Sequence, residues 1–133
     1  MASTDRVSVK QDYNENAQTF NTYFTTPTGI LETQLLDSAL GDCTDLTILD
    51  LGGGNGHRAK QALDHGASHV DVVDISSSML QTGQKAETDS KYSDRLGWYE
   101  ADCSKPLPSK LPLRDSYDMV MANWIFDLSL IHI

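Results

Sequence analysis

Cysteine is scarce in this chain, with two in 133 residues, Cys43 and Cys103. They form no CxxC pair and no spaced framework. That excludes a cysteine-based metal site and a disulfide-stapled fold, and fits two thiols in a reducing cytosol. Basic residues are also few: ten Lys and Arg against nineteen Asp and Glu, a formal net charge of -9. Such a surface repels phosphate backbones, so no nucleic-acid partner is expected. The start, "MASTDRVSVK", has no apolar h-region and hence no visible secretory signal. Long hydrophobic runs are missing too. The longest apolar tract, "MVMANWIFDLSLIHI", is short for a membrane span and is interrupted by Asp127, so no membrane partner is expected. Repeats and low-complexity blocks are absent. What remains is 39% hydrophobic and 22% charged, the composition of one soluble globular domain.

Periodicity organises the chain. "DYNENAQTFNTYF" places Tyr13, Ala17, Phe20 and Phe24 on one helical face. "TPTGILETQLLDSALGD" predicts a second helix, with Pro27 in its first turn, Leu31, Leu35 and Ala39 on one face, and Gly41 past its end. The texture changes at Thr47. "TILDL" reads as a buried strand. "GHRAKQALDHG" reads as a helix with Ala59, Ala62 and Leu63 inward and Gly66 as a stop. "HVDVVDI" is a second strand. "SSSMLQTGQKAETD" is a helix opened by cap-type serines and weakened by Gly83. "RLGWYEAD" is a third strand, in which one of Trp98 and Tyr99 packs in the core. "CSKPLPSKLPLRDS", with three prolines, is a loop, and "YDMVMAN" is a fourth strand. Strands alternating with helices predict an α/β, Rossmann-like doubly wound sheet, parallel and covered on both faces.

After the fourth strand only "WIFDLSLIHI" remains. A doubly wound sheet continues with a second half, so the chain reads as an incomplete, N-terminal half. Its last residues, "LSLIHI", resemble translated adapter read-through, with a junction near Asp127. The division expected is 1–45 as N-terminal cap helices, 46–127 as the cofactor-binding half, and 128–133 as a non-native or truncated tail.

The chemistry centres on "DLGGGNG", residues 50–56. Glycine lets a ligand touch the backbone, and a glycine turn between strand and helix aims free N–H groups at an anion or nucleotide. Asp74 ends the second strand, 24 positions after Asp50, where an acid reaches ribose hydroxyls; the plainer alternative is a turn or helix-capping carboxylate. The dinucleotide fingerprint G-x-G-x-x-G is broken, because His57 stands where its third glycine belongs.

The pattern that fits is D-x-G-x-G-x-G, from Asp50 through Gly52, Gly54 and Gly56. It resembles motif I of the class I S-adenosylmethionine-dependent methyltransferases. "VVDIS" resembles that family's acidic strand end. The resemblance implies Asp74 toward the ribose, with Ile75 and Met79 in the segment beside the adenine. "EADCSKPLP" resembles the segment whose Asp102 accepts from the adenine amino group while Cys103 packs beside the ring. "LPLRDSYDMVMANWIF" resembles the fourth-strand motif, with Asn123 and Trp124 beside the methyl-transfer centre. "YNENAQTF" resembles the N-terminal cap helix of small-molecule members, whose tyrosine, here Tyr13, closes over the cofactor; the tone is fungal. The implied cofactor is S-adenosyl-L-methionine and the implied partner a small-molecule methyl acceptor, in the cytoplasm.

Methyl transfer from a sulfonium rests mainly on alignment and water exclusion. A general base, where one is needed, is usually His or a carboxylate. None is convincing here. His57 lies in the first turn after the loop, where the helix dipole disfavours its charge. His65 and His69 flank the turn before the second strand, and all three read as surface histidines, as does His132 in the tail. Asp127 reads as a loop carboxylate, and Trp124 and Phe126 as either pocket wall or packing. Gly53 and Asn55 read as spacers, with Asn55 chosen for its tolerance of left-handed backbone. Two rival readings stand beside the leading one: an NAD(P)-dependent oxidoreductase fragment, and an inactive cofactor-binding remnant.

Overall fold

The structure is a computed structural model that describes residues 22–123. Helix α1 spans Pro27–Leu40, β1 Thr47–Leu51, α2 His57–Asp64 and β2 His69–Asp74. Helix α3 follows over Ser77–Glu87, then β3 over Leu96–Glu100 and the short β4 over Met119–Met121. The four strands form one parallel sheet in the order β3-β2-β1-β4. This is the α/β, Rossmann-like architecture expected, in the part of it that the described residues form.

Each element begins and ends as its residues dictate. The Thr26 hydroxyl accepts from the Gly29 amide at 3.1 Å, capping α1 ahead of Pro27. The Ser76 hydroxyl does the same for α3 through the Met79 amide, also at 3.1 Å. Strands β1 and β2 are buried along almost their whole length, as a central parallel pair must be. At their start, Asp118 fastens β1 to the entry of β4. Its carboxylate accepts from the Thr47 amide at 2.8 Å and its own amide donates to the Thr47 carbonyl.

The core lies on one face of the sheet. Ile48, Val70, Val72, Leu96 and Met121 pack there with Leu40, Ala59, Ala62, Leu63 and Leu80 from the three helices. Trp98 joins this cluster, while Tyr99, one residue on, points to the opposite face. Coverage of both faces by helices is not what the described residues show. The segment from β3 to β4 crosses the other face without a helix, because Pro106, Pro108 and Pro112 interrupt it. It is fastened by the Tyr117 hydroxyl, which donates to buried Asp71 at 2.6 Å. Asp71 also takes His69 Nε2 at 2.7 Å.

Helix α1 has the predicted bounds but a different inward side. Leu31 and Leu35 are 54% and 62% exposed, and Ala39 is exposed as well. The helix docks instead through Leu36 and Leu40 and through polar groups that meet α2. Gln61 Nε2 donates to the Thr33 carbonyl at 2.7 Å and to Asp37 at 2.8 Å, and His65 Nε2 contacts Asp37 at 2.8 Å. The apolar stripe misled because hydrogen bonding, not apolar burial, sets this interface.

Candidate functional site

Parallel strands place their carboxyl ends on one edge of the sheet, where α/β proteins bind ligands. Here β1 runs into the glycine loop at that edge. The Gly52 and Gly53 amides both reach the Val73 carbonyl, at 2.7 and 3.3 Å. The Gly54 amide donates to Asp74 Oδ2 at 2.9 Å. Gly54 and Gly56 have φ of 58° and 81°, backbone that glycine adopts without strain. The loop then opens directly into α2.

The glycines are also crowded by the protein's own side chains. A Cβ on Gly53 would stand 2.5 Å from Asp50 Oδ2, one on Gly54 2.9 Å from the Met79 methyl, and one on Gly56 2.5 Å from the Trp98 ring. Gly53 is therefore no spacer, since Asp50 requires it. Gly83 has the same explanation: α3 crosses the Asn55 backbone there and a Cβ would collide with it. Asn55 does not adopt left-handed backbone. Its side chain accepts from the His57 amide at 3.2 Å, satisfying a free donor at the start of α2.

Asp50 is 1% exposed, and neither carboxylate oxygen has a hydrogen-bond partner among the described residues. Burial first, then the neighbouring Asp74 charge, pushes its carboxyl up to about 8, against a smaller downward pull from Arg58. Asp74 is also buried. Its Oδ1 accepts from the Ser76 amide at 2.8 Å while Oδ2 holds Gly54. Burial raises its carboxyl in spite of the amides of Ser76, Gly54 and Ile75. Asp74 thus does the work of a turn carboxylate, with three backbone amides on it and about one acceptor site left for a ligand.

The other expected residues gather at the same edge. Met79 lies against Gly54. The Ala101 amide bonds the Asp74 carbonyl at 3.0 Å, bringing residues 101–103 beside the loop. Asp102 Oδ1 accepts from the Ser104 amide at 2.9 Å and from its hydroxyl. The Cys103 sulfur lies 3.8 Å from the Val73 carbonyl. Its thiol is pushed up to about 11, chiefly by burial, so it stays protonated and unreactive. Asn123 stands two residues past Met121, which pairs with Asp50. Its Nδ2 is buried without a partner among the described residues. Tyr13, Trp124, Phe126, Asp127 and His132 lie outside the described residues.

Sequence reasoning missed what surrounds His57. Its imidazole is no surface group: it stacks on Phe24, with ring centroids 3.6 Å apart and planes at 10°. Burial, then Arg58 and Lys60, lowers its pKa to about 4. Arg58 is buried too. Its guanidinium lies 4.9 Å from the Phe24 ring centre. It bonds Thr33 at 2.7 Å and Gln61 at 2.9 Å, and it lies 3.6 Å from Glu32. The Tyr23 hydroxyl completes the network through Glu32 at 2.6 Å. No local signal in the sequence gave this network, because its partners lie far apart along the chain, as Thr33 and Arg58 do. Among the described residues no group of His, Cys, Asp or Glu could hold a metal ion, and no helix is long and apolar enough to cross a membrane.

This edge has the features of a nucleotide-type cofactor site: a glycine turn, two buried acids and an unpartnered amide. Residues 48–131 match the methyltransferase domain family. Over 99 residues the chain is 36% identical to the ribosomal protein L11 methyltransferase of Escherichia coli, covering 74% of this chain and 31% of that one. An S-adenosylmethionine-dependent methyltransferase from Mesorhizobium loti superposes with a TM-score of 0.54 at 32% identity, over 67% of this chain and 37% of that one. Phosphoethanolamine N-methyltransferase 1 of Haemonchus contortus, solved with phosphoethanolamine and S-adenosylhomocysteine, superposes with a TM-score of 0.68. Its identity is 20%, over 96% of this chain and 27% of that one, a likeness of fold. The chain belongs to the methyltransferase domain family, in its class I, S-adenosylmethionine-dependent branch. It spans about a third of the length of the curated relative it matches.

Proposed function

We propose that this chain binds S-adenosyl-L-methionine and serves methyl transfer to a small-molecule acceptor in the cytoplasm. The observation that carries the reading is the unpartnered, buried Asp50 carboxyl set against the Gly53 backbone at the mouth of β1. A buried polar group without a partner is costly and marks a place where a ligand completes the structure. The cofactor, when bound, supplies a methyl group already activated on a positive sulfonium. The chain's residues would hold it. Asp50 and Asp74 would offer negative charge and acceptor lone pairs, the loop from Gly52 to Gly56 close backbone approach, and Ile75, Met79, Asp102 and Cys103 the walls for the nucleoside. Asn123, two residues past β4, offers a donor with no partner among the described residues. Tyr13 and Trp124 complete the proposed set from outside the described residues.

The acceptor reading rests on charge. A chain at -9 disfavours nucleic acid and suits a small molecule that reaches a pocket. We assign residues 1–45 to the cap, 46–127 to cofactor binding and 128–133 to the tail. No histidine described here stands as a general base. His57, stacked on Phe24 with its pKa lowered to about 4, is too weakly basic, and His65 and His69 are engaged with Asp37 and Asp71. The test is thermal protection by S-adenosylhomocysteine against NAD. Protection by S-adenosylhomocysteine alone is expected, and protection by NAD alone would restore the oxidoreductase reading.

A further inference from the structure

Asp50 stands apart from every other acid described. Both its oxygens are buried and lack partners among the described residues, and a Cβ on Gly53 would stand 2.5 Å from Oδ2. A carboxylate in that state has neither water nor a donor to stabilise its charge. The charged and titratable groups that face it are few. Asp74, at the end of β2, adds negative charge and is itself committed to the Gly54 and Ser76 amides. Arg58, from α2, is its one cationic neighbour among the described residues, and that guanidinium is engaged with Thr33, Gln61 and the Glu32 of α1. The Cys103 thiol, after β3, is neutral. From β4, Asp50 meets Met121, an uncharged residue.

We propose that Asp50 carries a proton in the cofactor-free protein and releases it to solvent as the cofactor's ammonium group settles at the glycine loop, so that cofactor binding is proton-linked. This rests on the methyl-donor reading above. The O–H bond of the carboxyl breaks, the proton goes to water or buffer, and the electron pair stays on Asp50 as the charge that faces the ligand's cation. No oxidation occurs and no other reactant is needed. The direction follows from the surroundings. Burial and Asp74 hold the carboxyl at about 8, and a nearby positive charge lowers it through neutrality.

The experiment is calorimetric titration of the 133-residue chain with S-adenosylhomocysteine at pH 7, in buffers of low and high ionisation enthalpy, repeated at pH 6. The expected result is release of about one proton per ligand bound, and affinity that tightens up to about tenfold from pH 6 to pH 7. 5′-Methylthioadenosine keeps the nucleoside but lacks the ammonium, and should bind with no proton release. In Asp50→Asn the buffer dependence and the pH slope should both vanish. Binding of S-adenosylhomocysteine by the unaltered chain with no proton exchange and a flat pH profile overturns the proposal, whether or not the variant folds. Equal release with 5′-methylthioadenosine also overturns it, since the cation would then not be the cause. Failure of S-adenosylhomocysteine to bind while NAD binds defeats the donor reading itself, and the coupling with it.

Discussion

The Phe24 ring lies flat on the His57 imidazole, 3.6 Å between centroids. It ties the segment before α1 to the first residue of the helix that the glycine loop opens. The glycine loop and the residues leading into α1 are thus packed together through this pair.

Replacing Phe24 should show this from both sides. Phe24→Ala removes the stacked partner and the ring beneath Arg58, with a loss of about 1 kcal/mol beyond the buried area. Water then reaches His57, whose pKa should climb from about 4 toward the ordinary histidine value. Titrating the His57 ring by NMR measures it. A pKa that stays low would mean that Arg58 and Lys60, rather than the stack, keep the ring neutral.

The glycines should separate into two groups. In an ordinary helix Gly→Ala stabilises by about 1 kcal/mol. Gly83→Ala should instead destabilise, because its Cβ meets the Asn55 backbone, which cannot step aside without moving the loop. Gly56→Ala should be severe for two reasons, its φ of 81° and the Trp98 ring. Gly54→Ala should also destabilise, through its φ of 58°, but less than Gly56→Ala, since its steric obstacle is the flexible end of Met79. Denaturation midpoints rank the three. A Gly54 variant as damaging as the Gly56 one would contradict this account.

Much of this fold was legible. The strands from "TILDL" to "YDMVMAN" and the helices between them followed from periodicity and caps, because those signals are local. The glycine turn from Asp50 to Gly56 was legible because a strand–turn–helix loop repeats its spacing, whereas Met79 entered only through the family resemblance. The partners across elements were not. Nothing within "GHRAK" says that His57 will meet Phe24, or that Arg58 will meet Glu32, 26 positions earlier. The face of α1 was misjudged for the same reason. Leu31 and Leu35 outweigh Thr33 and Asp37 in hydrophobicity, yet Gln61 and His65 supply hydrogen bonds that only the polar side can accept.

Arg58 should be the most sensitive polar residue of the cap interface. Arg58→Ala strips Thr33 and Gln61 of a shared donor and leaves the partly buried Glu32 without its cation. Breaking such a partly buried network from one side costs about 1–3 kcal/mol. Arg58→Lys should recover only part, because an ammonium cannot reproduce the fork. Hydrogen exchange should rise first along α1. Uniform exchange across the sheet instead would mean that Arg58 supports the whole fold.

Asp50 and His57 predict opposite slopes of stability with pH, and their difference is measurable. Asp50 is raised in the folded state, to about 8. The folded chain holds a proton that the unfolded chain has lost, so stability falls as pH rises from about 4 to about 8. His57 is lowered, to about 4. The unfolded chain binds the extra proton, so stability is lost as pH falls from about 6.5 to about 4. Between about 4 and 6.5 the two contributions oppose each other, and above 6.5 only that of Asp50 remains. Each full contribution is at most about 1.4 kcal/mol per pH unit. Relative to the unaltered chain, Asp50→Asn should therefore gain stability steadily from pH 5 to pH 8. His57→Gln should uncover the Asp50 slope below pH 6.5 and match the unaltered profile above it. Urea denaturation at four pH values resolves these shapes. An Asp50→Asn profile parallel to that of the unaltered chain would mean that the carboxyl ionises in the folded protein as readily as in the unfolded one.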